Sequence, residues 1–112
     1  MAYFSFNASA RNLLNEEPKI RVRMVEGVLQ IKPTDRESGA MLPNGETLRP
    51  VTYRVEKDTI TGARFTAIGL VGNFISVGDT FLLQKEKYGW FSLRVTLLEP
   101  SNRNHPIVKI VK

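Results

Sequence analysis

The amino-acid sequence predicts an all-β domain, a small barrel or compact sandwich of about six to seven short antiparallel strands with one short N-terminal helix. Short stretches of alternating apolar and polar residues recur along the chain, separated by clusters of glycine, proline, asparagine and aspartate. At 112 residues, of which 42% are hydrophobic, the chain can bury one ordinary core. A domain of this size must close or stack its sheet to hide the strand edges, which favours a barrel or a sandwich.

The chain is predicted to divide into an N-terminal arm, residues 1–18, and a single β domain, residues 19–112. The arm contains a short helix over residues 10–17, capped by Asn7 or Ser9 and followed by a proline. Such a short helix is marginal by itself and must pack on the domain. Three aromatic side chains precede it and either fold onto the domain or reach a second subunit: Tyr3, Phe4 and Phe6.

The first predicted strand, residues 19–24, has a basic outer face. Arg21 and Arg23 alternate with apolar residues, so the two arginines face outward while the apolar side chains face the core. A Glu-Gly turn leads to a return strand over residues 28–32, which Pro33 is predicted to end. The loop that follows, up to residue 46, is interpreted as an ordinary connection or as a lid or partner-binding finger.

Five further strands complete the predicted sheet. They lie over residues 48–55, 63–70, 80–84, 90–98 and 107–111. In the first of these, Val51, Tyr53 and Val55 are expected to face the core. An apolar stretch after the second is interrupted by Gly72 and Asn73, where we expect a turn or bulge.

The composition excludes several kinds of active site. The chain has no cysteine and one histidine, which excludes disulfides, thiolate metal sites and multi-histidine metal sites. His105 lies in a polar loop, and the closely spaced carboxylates flank basic turns, where solvated surface charge is expected. No common nucleophile, zinc-protease or phosphate-loop motif occurs. We therefore expect a protein that is not an enzyme, with no catalytic residue, no bound metal and no cofactor.

The sequence predicts neither a membrane partner nor secretion. No run approaches the ~18 consecutive apolar residues of a membrane-spanning helix. The N-terminus lacks the basic and apolar regions of a signal peptide. Asn7, Ala8 and Ser9 match a glycosylation sequon, but nothing else suggests secretion. We expect a cytoplasmic protein.

The net charge of +5 is unevenly distributed along the chain. Residues 19–36 hold five basic and two acidic side chains, and residues 100–112 hold three basic and no acidic ones. Basic and acidic residues balance between positions 37 and 99. A pI near 9.8 is compatible with nucleic acid, an acidic protein or an anionic surface as partner, or with solubility alone.

The most informative functional pattern lies in the strand predicted over residues 90–98. Four of its apolar residues alternate and are expected to face the core: Phe91, Leu93, Val95 and Leu97. Pleating then turns Trp90 and Arg94 outward, directly after a hairpin turn that carries two lysines and a tyrosine. Basic and aromatic side chains together are typical of surfaces that bind single-stranded nucleic acid.

We therefore predict a non-catalytic domain that binds nucleic acid by phosphate neutralisation and base stacking, with little sequence readout. The predicted site comprises Arg21, Arg23, Arg54, Arg64, Lys85, Lys87, Tyr88, Trp90 and Arg94. The alternative is a protein-interaction or structural module, including a homo-oligomer, that uses the same aromatic face. In that case the N-terminal arm, the C-terminal strand or a second subunit covers Trp90. A third class is a small-molecule binder with a pocket in the barrel mouth.

Overall fold

The computed structural model describes residues 1–36, 42–43 and 45–112, which form one antiparallel sheet of nine strands and one α-helix. The elements are β1 (Tyr3–Phe6), α1 (Ala8–Leu13), β2 (Lys19–Val25), β3 (Val28–Thr34), β4 (Thr47–Pro50), β5 (Thr52–Glu56), β6 (Thr59–Thr66), β7 (Thr80–Lys85), β8 (Phe91–Val95) and β9 (Ile107–Val111). The strands are hydrogen-bonded in the order β4-β2-β3-β8-β7-β9-β1-β6-β5. The predicted all-β class is confirmed, with nine strands rather than six to seven.

The sheet curls into a nearly closed barrel. β4 and β5 follow each other in the chain with Val51 between them, yet they occupy opposite ends of the strand order. The segment predicted as one strand over residues 48–55 is therefore two strands with different neighbours. Arg49 links the edge strand β4 to β6 at the other end of the order, because its Nη1 donates to the carbonyl oxygens of Thr66, the last residue of β6, and of Ile68 beyond it, each at 2.9 Å. Partial burial of this guanidinium lowers the pKa of Arg49.

The inner face of the barrel is the hydrophobic core. The alternation predicted for β2 is confirmed, since Ile20 and Val22 are buried and Met24 packs against the core. On the other side of the barrel the rings of Phe4 and Phe65 stack, with their centroids 4.4 Å apart. Because neighbouring residues of a strand point to opposite faces, this packing leaves the arginines of β2 on the outside.

The helix is shorter than predicted. α1 begins after its N-cap Asn7, whose Oδ1 accepts a hydrogen bond from a backbone N–H of the first turn at 2.9 Å. It ends at Leu13, and Asn15 and Glu16 beyond it adopt left-handed φ angles of 53° and 57°, which an α-helix cannot contain. Ala10 within the helix and Leu14 directly after it are buried, so the helix packs on the core. No helix in the described part of the chain is both long and apolar enough to cross a membrane.

The first residues belong to the sheet and do not form an arm ahead of it. β1 pairs with β9, from Tyr3 opposite Val111 to Phe6 opposite Val108, and with β6 on its other side. The predicted boundary at residue 18 thus separates segments that share one sheet and one core. Local patterning could not show this, because both partners of β1 lie far along the chain.

Several expectations about single strands are wrong. β3 continues through Pro33 to Thr34, in a region where its pairing with β8 has already ended. Val55, Val95 and Leu97 were expected in the core but are exposed. β8 ends at Val95, so the pleat that turns its earlier residues inward does not extend to Leu97. The predicted loop over residues 33–46 lies partly outside the described residues, which resume fully at residue 45.

Candidate nucleic-acid interface

Three of the predicted site residues meet on the outer surface of β2, β3 and β8, which are neighbours in the sheet. Arg23 stands opposite Gln30, and Gln30 stands opposite Ser92, so outward side chains of the three strands form one surface. Trp90 lies just before β8 and contacts Arg21 and Arg23 of β2 across this surface. Neighbouring strands thus bring together residues that are about 70 positions apart in sequence.

Trp90 faces outward as predicted but is not accessible. Only 4% of it is exposed, and it is not part of the core cluster inside the barrel. The guanidinium carbon of Arg23 lies 3.7 Å from the ring centroid, and that of Arg21 lies 5.2 Å away. The guanidinium groups of two arginines therefore lie over the indole. Sequence reasoning left open whether the outward indole is covered, because its accessibility depends on side chains of another strand.

Both arginines over Trp90 are held by hydrogen bonds. Arg21 donates through Nε to Oε1 of Glu46 at 2.7 Å, and its Nη2 lies 2.5 Å from the same oxygen. Arg23 donates through Nε to Oε1 of Gln30 at 2.9 Å, and Gln30 Nε2 donates to Oγ of Ser92 at 3.2 Å. The Glu46 side chain is only 7% exposed, so its ion pair with Arg21 is largely removed from solvent. Arg21 is thus already paired with a carboxylate, whereas the acceptor found for Arg23 is a neutral amide.

An open groove of about 490 Å³ lies beside the covered indole. We call it the Tyr88 groove; its lining residues are Arg23, Gln30, Lys85, Glu86, Lys87 and Tyr88. Three of these side chains are basic and one is acidic, so the lining carries a net positive charge. Four of the nine predicted site residues therefore share one concave surface: Arg23, Lys85, Lys87 and Tyr88.

Tyr88 is presented at the tip of the turn between β7 and β8. It is 86% exposed, and its backbone adopts a left-handed φ of 62°. A bulky residue in this region is uncommon and is held there by the surrounding structure. The turn is closed by the hydrogen bond from Glu86 N to Trp90 O at 2.8 Å. Of the two aromatic residues in the predicted site, Tyr88 is therefore the exposed one.

The other predicted arginines lie elsewhere. Arg54 and Arg64 are on β5 and β6, at the opposite end of the strand order from β2. They line a separate groove of about 490 Å³, where the Arg64 guanidinium lies 4.2 Å from the Tyr3 ring centroid. Arg94 lines a third, apolar groove. The predicted set is thus divided among three surfaces, because its members were grouped without knowledge of the strand order.

Sequence reasoning missed Glu46, Gln30 and Ser92, which fix the two arginines. Gln30 and Ser92 occupy outward positions of their strands, and both are buried. Their only sequence signal is that each is an uncharged polar residue at an outward position of its strand, β3 for Gln30 and β8 for Ser92. Glu46 carries no comparable signal, because it meets Arg21, 25 positions away in the sequence, only in the folded chain.

The hydrogen-bonded side chains of the site are suited to polar recognition. Within the described residues, no three histidine, aspartate or glutamate side chains come close enough together to hold a metal ion. Every buried side-chain nitrogen or oxygen in this part of the chain has a hydrogen-bond partner.

Comparisons of the chain with protein-family models, with curated proteins and with solved structures gave no match.

Proposed function

We propose that this domain binds single-stranded nucleic acid in the Tyr88 groove, by base stacking and phosphate neutralisation and without catalysis. One observation carries the proposal: the exposed Tyr88 ring lines an open groove together with three basic side chains, those of Lys85, Lys87 and Arg23. A ring beside several cations is the combination by which such surfaces hold bases and phosphates together. A site for a small apolar molecule would instead be lined mainly by hydrophobic side chains.

The contacts assign a distinct role to each side chain. Tyr88 stacks on a base, a contact worth ~1–3 kcal/mol in comparable proteins. Lys85 and Lys87, which line the same groove, meet the neighbouring phosphates. Arg23 keeps the inner face of its guanidinium on Trp90 and presents the rest to the groove. Trp90 is a positioning residue, because its indole sets the plane of Arg23 and does not reach the ligand.

The proposal is tested by titrating labelled single-stranded and duplex oligonucleotides and following fluorescence anisotropy at about 50 and about 200 mM salt. We expect single strands to bind and their affinity to fall steeply with salt. Tyr88→Asn removes the ring but keeps the left-handed turn, since asparagine tolerates that backbone. It should weaken binding about 5- to 150-fold, the equivalent of ~1–3 kcal/mol.

A charge-matched pair of variants separates groove binding from general attraction. Lys87→Gln removes a cation from the groove, whereas Lys57→Gln removes one from the β5–β6 turn. The first should reduce the salt slope by about 0.7 for a single strand, and the second should leave the slope unchanged. Equal effects of the two variants, or no binding at low salt, would overturn the proposal. A mass that rises with protein concentration would then assign the face to self-association.

The proposed setting is the cytoplasm. The chain has no cysteine, which suits a reducing compartment. Its glycosylation sequon begins at Asn7, whose Nδ2 donates to the carbonyl oxygens of Pro100, Asn102 and His105 at 2.9–3.1 Å. An amide nitrogen engaged in this way is not presented for modification by the folded domain.

A further inference from the structure

The barrel wall is open between β3 and β8. In the described chain the two strands pair only at Gln30 with Ser92 and at Ile31 with Phe91. β3 nevertheless begins at Val28, and β8 continues to Val95. Two pieces of strand therefore face each other without a ladder between them. We call this opening the β3–β8 gap; it lies between residues 28–29 and residues 93–95.

The gap is lined by apolar side chains, and part of the lining is exposed. Its volume is about 270 Å³, and Leu29, Phe81 and Leu93 of the core line it. Phe74 and Val95 also line it and are largely exposed, Val95 to 82%. Exposed apolar groups beside unpaired strand edges are the features that protein partners use.

We propose that the β3–β8 gap binds an extended segment of a partner protein, which adds as a short strand and places an apolar side chain in the opening. Backbone N–H and C=O groups along an unpaired edge require a strand as their complement, which neither a nucleic acid nor a lipid supplies. The volume lies below the ~300–1,000 Å³ usual for small-molecule pockets, whereas side chains of a strand need less room.

Charge selects among such segments. Arg94 lines the gap, and the chain carries a net charge of +5, so acidic residues beside the apolar ones are favoured. A second copy of this chain would bring the same positive charge and is disfavoured for that reason. The Tyr88 groove has a separate lining with no residue in common, so this inference does not depend on the proposed function.

The test is the selection of random short peptides displayed on phage, followed by synthesis of the enriched sequences. We expect these sequences to contain apolar residues two positions apart, acidic neighbours and no proline at the pairing positions. On binding, the NMR signals of the amides of residues 28–29 and 93–95 should shift, and their exchange with solvent should slow. Replacing one peptide residue by proline should abolish binding, because the ladder then loses a donor.

Two exposed residues of the same segment provide the matched variants. Val95 lines the gap, whereas Leu97 is 99% exposed and is not among the residues that line it. Val95→Ser should weaken peptide binding about tenfold, and Leu97→Ser should change it less than about twofold. Failure to enrich any peptide, equal effects of the two variants, or amide shifts elsewhere would each overturn the proposal. Sedimentation showing a dimer that competes with the peptide would assign the gap to a second copy and overturn it as well.

Discussion

Asn7 holds the two ends of the chain together, and replacing it should destabilise the whole barrel. Its Oδ1 accepts hydrogen bonds from Ala10 N at 2.9 Å, which caps the helix, and from Ile107 N at 3.0 Å, at the start of β9. Its Nδ2 donates to three carbonyl oxygens of the loop that leads into β9. Asn7→Ala removes all of these contacts and leaves the Ile107 N–H without its acceptor.

The size of the effect follows from these contacts. Two amide hydrogens are shared among three acceptors, so the side chain makes the equivalent of about four hydrogen bonds. At ~0.5–1.5 kcal/mol each, reduced because water reaches part of the loop, we expect a loss of about 3 kcal/mol. For 112 residues the entropy of unfolding is ~0.24 kcal/mol per kelvin. The melting temperature should therefore fall by about 12 °C.

Thermal and urea unfolding followed by circular dichroism measure this loss. Asn73→Ala is the matched control, since Asn73 is exposed and its Nδ2 makes one local hydrogen bond to Gly69 O at 3.3 Å; it should lower the melting temperature by less than about 2 °C. Asn7→Asp keeps the capping oxygen but places a carboxylate against the loop carbonyls, so it should not restore stability. A loss below about 1 kcal/mol for Asn7→Ala, or wild-type stability for Asn7→Asp, would refute the reasoning.

Three further predictions concern stability and binding. Glu46→Gln releases Arg21 from its ion pair. Single-stranded oligonucleotides should then bind more tightly, and the dependence of their affinity on salt should become steeper by about 0.7. An unchanged salt dependence in anisotropy titrations would contradict this prediction. Arg49→Met keeps the length of the side chain but removes the two charge-assisted hydrogen bonds to Thr66 and Ile68. Urea unfolding should show a loss of about 2 kcal/mol in the free energy of unfolding. A loss below about 0.5 kcal/mol would exclude a structural role for these bonds. Burial, and then the charge of Glu17, raise the pKa of Tyr53, whose hydroxyl donates to Glu17 O at 2.5 Å. The contribution of the Tyr53 hydroxyl to the free energy of unfolding is therefore complete below about pH 10 and is lost as the pH rises further. The difference in the free energy of unfolding between wild type and Tyr53→Phe should accordingly shrink above that pH.

Local patterns in the sequence were sufficient to predict those structural features that depend on residues close together in the chain. The alternation of β2 places Ile20 and Val22 in the core and leaves Arg21 and Arg23 outside, because the pleat of a strand has a period of two. Asn7 was recognised as a possible helix cap for an equally local reason, since a cap bonds within its own first turn. The all-β class followed from many such segments taken together.

The tertiary structure alone decided which segments are neighbours, and therefore which functional residues are accessible and meet. Trp90 faces outward both in the prediction from the sequence and in the folded structure, but two arginines about 70 residues away in the chain lie over it. Tyr88 is the exposed ring because the turn holds it in a left-handed conformation beyond the strand pleat. Arg54 and Arg64 are separated from Arg23 because strand order is set by long-range pairing. The energy of that pairing comes from cross-strand contacts and core burial, and a local pattern of residues records neither.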